Sequence, residues 1–171
     1  MKSGISIENL PHIDLIVISH NHYDHLDRLT LEKIHQKQKD QPPRIFVPLN
    51  QKEWFEDLEI PNVVEMDWWE EQEYQGWKIH AVPVQHWSGR RLWDRNQVLW
   101  AGWVLEHPKF RFFFAGDTGY SKDFIDLGNK FEGFDLAAIP IGAYSPRWFM
   151  KQKHINPEEA VKIHQDIDSR Y

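Results

Sequence analysis

The segment Ser19-His20-Asn21-His22-Tyr23-Asp24-His25 follows directly on a continuous apolar run, Leu15 to Ile18, rich in β-branched side chains. A run of this kind, here spanning Asp14 to Ser19, reads as a short strand buried on both faces, which places it inside a layered α/β domain. The strand then discharges into four candidate metal ligands. In extended chain His20 and His22 project to the same side, so both imidazoles can reach one metal ion. Asp24 and His25 fall in the turn that enters a helix, where the chain changes direction, and can point toward a second, neighbouring position. A chain with this segment must fold so that the end of a buried strand opens onto a site.

The rest of the chain supplies the layers. A helix is expected from Asp24, with Leu26, Leu29 and Ile34 on its apolar side and Lys33, Gln36 and Lys37 opposite. Gln41-Pro42-Pro43 stops it. Arg44 to Pro48 reads as a second strand, and Asn50 as the cap of a short helix through about Leu58. The middle of the chain turns to β: Asn62 to Met66, Trp77 to Val84, Val98 to Glu106 and Phe110 to Ala115, the last two forming a hairpin across His107-Pro108. A helix follows from about Lys122 to Phe131. Asp135 to Ile141 is expected as another buried strand. Asn156-Pro157-Glu158-Glu159 is a helix start, with Asn as cap, Pro at the first position and acids in the first turn. That helix is expected to reach about Asp168. Alternating strands and helices around a β-rich middle give a mixed α/β domain spanning residues 1–171.

Two further polar residues follow buried strands. His86 comes just after Val82-Pro83-Val84, and Asp117 just after Phe112 to Gly116. Ligands collect at strand ends in α/β proteins. The chain contains no cysteine, which removes thiolate sites, disulfides and a cysteine nucleophile from consideration. The ten histidines therefore carry the metal question. Three His for one metal, and two Asp and a His for another, fit a two-metal hydrolytic site, with nitrogen and oxygen ligands favouring zinc and leaving iron or manganese as alternatives.

The succession His-x-His-x-Asp-His, a later His, then Gly116-Asp117-Thr118-Gly119 resembles the metallo-β-lactamase superfamily. Gln85-His86-Trp87, Phe112 to Tyr120, Asp135 to Tyr144, Pro146 to Met150, His154 and Asn156 to Ala160 resemble its N-acylphosphatidylethanolamine-hydrolysing phospholipase D branch, from about Gly4 onward. The resemblance implies the superfamily's αβ/βα sandwich and a zinc-dependent phosphodiesterase acting through a hydroxide held between two metal ions. It implies His20, His22 and His86 as ligands of the first zinc, Asp24 and His25 of the second, and Asp117 bridging both. It further implies Asp24 as the group that orients the hydroxide or takes its proton, His154 as an active-site residue near the substrate phosphate, and Tyr23 at the rim. Trp87, Tyr144, Trp148 and Phe149 are candidates for lining an acyl-chain path.

The chain departs from the branch at both ends. Members carry strands before the equivalent of Ile5, and a further metal-binding histidine beyond the equivalent of Tyr171. His164 does not match that position. The expectation is an incomplete sandwich, with a second metal held more weakly. Three readings follow: a phospholipase D-like hydrolase, the same metal core working on a lactone, thioester or other phosphodiester, and a metal-binding fragment without turnover.

A net charge of −6 argues against a nucleic-acid partner. The expected partner is a phospholipid or other small phosphodiester, with peripheral membrane contact and a homodimer as further expectations. No apolar run approaches the roughly 20 residues of a transmembrane helix, and the expected location is the cytoplasm, in contact with membrane.

Overall fold

A computed structural model describes residues 5–171; the first four positions of the expected domain, Gly4 among them, lie outside the described residues. After a single 3-10 turn at Ile7–Asn9, β1 (Leu15–Val17), β2 (Arg44–Pro48) and β3 (Val63–Met66) form a parallel three-stranded sheet in the order β1-β2-β3. The second sheet has five strands in sequence order: β4 (Glu71–Tyr74), β5 (Trp77–Val82), β6 (Gly102–His107), β7 (Phe110–Phe114) and β8 (Leu136–Ala138). Its first four strands are antiparallel, and β8 runs parallel to β7.

Three apolar clusters make four layers. Leu31 of α1 (Arg28–Lys37) and Phe55 of α2 (Lys52–Glu56) pack on Ile45 and Val47 of β2. The opposite face of that sheet, with Phe46 and Met66, packs on Ile79, Ala81 and Trp103 of the second sheet. On the far side, Phe124, Leu127 and Phe131 of α3 (Asp123–Phe131) and Ile163 of α5 (Pro157–Asp166) cover Val82, Val104 and Phe113. The order helix, sheet, sheet, helix is the expected αβ/βα sandwich. Alternation along β2 explains it: successive side chains of a strand leave on opposite faces, so one apolar run feeds two cores.

The two sheets are stitched together where β1 ends. The indole nitrogen of the fully buried Trp103 donates to the Ile18 carbonyl at 2.9 Å, and the Ala101 amide donates to the Ser19 carbonyl at 2.8 Å. Buried carbonyls need partners, and here those partners come from the opposite sheet. This fixes the backbone just before His20.

Several local expectations are corrected. β1 is half-buried rather than buried on both faces, because it has one neighbouring strand among the described residues. The helix expected from Asp24 starts at Arg28, capped by Asp27, whose carboxylate accepts from the Thr30 amide at 2.9 Å. The residues before it form a turn, closed by the His25 and Leu26 amides on the His22 carbonyl. Leu29 is 64 % exposed and Leu31 takes the core position instead. Asn50 does not cap α2. It adopts φ +64° and its amide reaches the Gln97 carbonyl, while the orphan amide of Lys52 is satisfied by the Glu65 carboxylate at 2.6 Å. The strand expected from Val98 begins at Gly102, because Leu99 and Ala101 donate to Leu49 and Ser19, next to the first sheet. β8 is shorter than Asp135 to Ile141 and half-exposed, with one ladder partner, β7. β4, whose sequence is Glu-Gln-Glu-Tyr, and α4 (Arg147–Met150) carry no periodic signal and were not expected. The start of α5 is as expected, with Asn156 and Glu159 forming a reciprocal capping box.

Candidate metal centre

His20, His86 and Asp117 sit a few residues beyond the C-terminal ends of β1, β5 and β7, at one end of the sandwich. His20 is held by its neighbours: Ser19 is buried, and its Oγ lies 3.0 Å from His20 Nδ1. Gly116 makes this approach possible. It adopts φ +61°, and a Cβ there would lie 2.5 Å from Ser19 Cβ. Only glycine combines that backbone with that contact. The loop carrying His86 is fixed by the Gln85 amide on Thr118 Oγ1 and by the Gly119 amide on the Gln85 carbonyl.

Four imidazoles meet here. The His20 ring centroid lies 4.4 Å from that of His22, 4.2 Å from His25 and 4.5 Å from His86. His20, His22 and His86 each present a ligand atom within 4.8 Å of the others, and so do His20, His25 and Asp117. His20 belongs to both groups. Asp117 Oδ2 is 3.2 Å from His25 Nε2 and 3.9 Å from each of His86 Nε2 and His154 Nδ1. Asp24 stands outside both groups. Its carboxylate is 82 % exposed, 3.8 Å from His25 Nε2.

The electrostatics suit a cation. Burial pushes His20 down to about 2, helped by His86, His25 and His22, and pushes His86 down to about 4. His22 is lowered by burial as well. Burial alone would raise the Asp117 carboxyl, but the hydrogen bond and charge of His25, with His86 and His154, pull it to about 2. His25 is raised by the same hydrogen bond, against its own burial. Burial therefore favours the neutral form of His20, His22 and His86, and Asp117 is held ionised, the forms that ligate, while the carboxylate beside His25 favours its proton.

The fit to a metal ion rests on two orphaned atoms. Nε2 of His20 and Nε2 of His22 are buried with no hydrogen-bond partner. A buried polar nitrogen without a partner is costly, and a metal ion satisfies that demand. The second ring nitrogens are arranged to match. His86 Nδ1 is 3.0 Å from the Lys153 carbonyl, so it carries the proton and donates, leaving the lone pair of Nε2, which lies 3.3 Å from His22 Nδ1, as the one that can ligate.

The remaining expected residues are placed as follows. His154 is near the centre, its ring 5.3 Å from His86. Its carbonyl accepts from Arg147, whose guanidinium also makes a bidentate pair with Glu159 at 2.8 Å. Tyr23 is exposed, and its hydroxyl donates to the Arg90 carbonyl at 2.9 Å. Trp87 packs edge-on against His22 at 4.3 Å. Trp148 and Phe149 are exposed and touch each other on α4, with Tyr144 partly exposed nearby in sequence. His164 lies on α5, outside the two ligand groups. Sequence reasoning missed Arg90, Ser19 and the Arg147–Glu159 pair as supports of the centre. Arg90, in a Gly-Arg-Arg loop, carries no local signal.

Among the described residues no helix is long and apolar enough to cross a membrane.

A family model described as a beta-lactamase superfamily domain matches residues 3–171. The N-acyl-phosphatidylethanolamine-hydrolyzing phospholipase D 1 of Caenorhabditis elegans is 43 % identical over 97 % of this chain, which covers 49 % of that protein. The mitochondrial N-acyl-phosphatidylethanolamine-hydrolyzing phospholipase D of Saccharomyces cerevisiae is 42 % identical over 96 % of the chain, which covers 36 % of it. The chain thus spans half or less of the length of these relatives. Among solved structures, the isothiocyanate hydrolase from Delia radicum gut bacteria superposes with a TM-score of 0.71 at 18 % identity, covering 96 % of this chain and 62 % of that one. That likeness concerns the fold.

Proposed function

This chain belongs to the beta-lactamase superfamily, and from that premise we propose that it is a metal-dependent phosphodiester hydrolase of phospholipase D type, acting on N-acylphosphatidylethanolamine-like lipids. The observation that carries the proposal is the pair of ligand groups joined through His20, together with relatives named for that reaction.

Zinc is the ion we assign, two per site: His20, His22 and His86 would hold one, and His25 and Asp117, with the exposed Asp24 carboxylate beside His25, would hold the other. Such ions supply Lewis-acid charge for a phosphoryl group and acidify water at neutral pH. The chain's residues do the rest. His86 donates from Nδ1 to the Lys153 carbonyl, which fixes its tautomer and ring plane. Ser19 Oγ, 3.0 Å from His20 Nδ1, holds the plane of that ring. Asp24, exposed beside His25, is the carboxylate positioned to orient the attacking water and accept its proton. His154, anchored through its carbonyl by Arg147, places an imidazole where the substrate phosphate is held. Tyr23 borders the entrance. The water oxygen bonds to phosphorus as the phosphorus–oxygen bond on the head-group side breaks, and the released alkoxide takes up the proton that Asp24 accepted from the water.

The test is hydrolysis of N-acylphosphatidylethanolamine in mixed vesicles, with phosphatidate and N-acylethanolamine quantified, for the zinc-loaded chain, His20→Ala and His154→Ala. The expected result is turnover abolished by His20→Ala with loss of metal. His154→Ala is expected to cut turnover about 100-fold, within the range for a lost acid, base or binding group, with metal content kept. Zinc-loaded chain that leaves the lipid intact would sink the phospholipase D reading.

A further inference from the structure

The loop that follows His86 does more than connect β5 to β6. We infer that Arg90 is a positioning residue that sets the geometry of the His25 side of the metal centre. The inference rests on the metal-centre reading above.

Nη1 of Arg90 donates to the Asn21 carbonyl at 2.8 Å and to the Leu26 carbonyl at 2.9 Å. These two carbonyls bracket the segment that carries His22, Asp24 and His25. One guanidinium nitrogen therefore closes both ends of the ligand turn. Asn21 is buried, and its side-chain oxygen accepts from the Gly89 amide at 2.7 Å, so the same end is held twice. The ligand turn is otherwise short of internal ties. Inside it, the His25 and Leu26 amides both converge on the His22 carbonyl. Nothing in that pattern fixes the direction of the turn relative to β5, from which His86 comes.

Arg90 is itself immobilised. Its charged carbon lies 4.1 Å from the Tyr23 ring centroid and 5.4 Å from that of Trp54. Its amide and that of Arg91 donate to the Asp94 carboxylate at 2.8 to 3.2 Å. Tyr23 closes the arrangement by donating to the Arg90 carbonyl. Arg90 is half-buried, and removal of its guanidinium leaves the Asn21 and Leu26 carbonyls without this shared partner. The effect should fall unevenly. His20 is held by Ser19, His86 by the Lys153 carbonyl, and the His22 ring by its packing against Trp87 and His86. His25, one residue before Leu26, depends on the clamp for its backbone position.

The experiment is titration of the metal-free chain with cobalt(II) and zinc, reading affinity per site and the cobalt absorption spectrum, for wild type and Arg90→Ala. Thermal unfolding of both is measured alongside. The expected result is one metal equivalent weakened about 10- to 100-fold, the range seen when supporting partners of ligands are removed, with an altered cobalt spectrum and the other equivalent kept. Millimolar guanidinium is expected to restore the wild-type spectrum, a recovery that a general loss of packing would not show. Unchanged affinities and spectrum would overturn the inference. So would loss of both equivalents, or unfolding, that guanidinium does not reverse, because Arg90 would then be a structural residue only. A wild-type chain that binds no metal would remove the metal-centre reading and this inference with it. Two sites in wild type and no effect of Arg90→Ala would remove only the inference.

Discussion

Nε2 of His25 lies 3.2 Å from Oδ2 of Asp117, and the two residues close different sheets. His25 follows β1 of the three-stranded sheet, and Asp117 follows β7 of the five-stranded one. The centre therefore forms only when the sheets are packed on each other. Asp117→Asn keeps the shape of the side chain and removes the charge. It should lose about one metal equivalent per chain, since an amide oxygen is a far poorer ligand than a carboxylate. Elemental analysis of the purified variant checks this, and a metal content equal to wild type would show that Asp117 is dispensable.

Gly116→Ala tests the contact between β7 and Ser19. A Cβ at this position meets Ser19 Cβ at 2.5 Å, on a backbone with φ +61°. Either the β7 end or Ser19 must move, and Ser19 carries the His20 hydrogen bond. The expected cost is about 1–3 kcal/mol of folding stability, typical of overpacking, together with weaker metal binding. Denaturant unfolding measures the first part. A variant as stable as wild type would mean that the strand end yields without cost.

His80 gives stability a pH dependence away from the centre. It is buried on β5, 3.3 Å from the Glu106 carboxylate and 3.6 Å from that of Glu71, with its ring 5.0 Å from Phe131. Burial lowers its pKa below 6.5, opposed by Glu71 and Glu106 and assisted by Lys130. The unfolded chain thus takes up this proton at higher pH than the folded one. The contribution is fully present above the unfolded value and is lost as pH falls below it toward the folded value. His80→Gln should flatten the fall in unfolding free energy as pH drops below the unfolded value of 6.5. Identical slopes for variant and wild type would show that His80 does not titrate differently on folding.

The Arg147 fork joins His154 to α5. One arm donates to the His154 carbonyl and the other makes the bidentate pair with Glu159. Glu159 is also half of the Asn156 capping box. Lysine carries the charge but not the planar fork. Arg147→Lys should leave metal content unchanged and reduce kcat on the phosphodiester about tenfold by loosening His154. Steady-state kinetics with metal analysis on the same sample reads both. A change in metal content instead would place Arg147 among the supports of the ligands.

The parts of the fold that were legible in the sequence are those whose causes are local. β2 shows as an apolar run, and α5 as Asn-Pro-Glu-Glu, because a cap and a first-turn acid act within one turn of helix. The helix expected from Asp24 starts only at Arg28, because its onset is set by hydrogen bonds onto the His22 carbonyl and by the Asp27 cap. β4 was invisible because Glu-Gln-Glu-Tyr has no apolar alternation. Its strand form comes from the ladder with β5.

The candidate ligand types were legible in the sequence alone, because imidazoles and carboxylates crowd at the end of an apolar run. The sequence also carried the order in which they are delivered, at the ends of three strands. Tertiary structure decided which of them meet. It brought His20, His22, His25, His86 and Asp117 together and left Asp24 exposed beside His25. It also recruited supports with no local signature: Ser19 beneath Gly116, and Arg90 across the ligand turn. The physical reason is the range of the forces. Backbone propensity and capping act over a few residues, whereas buried carbonyls and imidazoles take partners from whichever segment the packing of two sheets brings within about 3 Å.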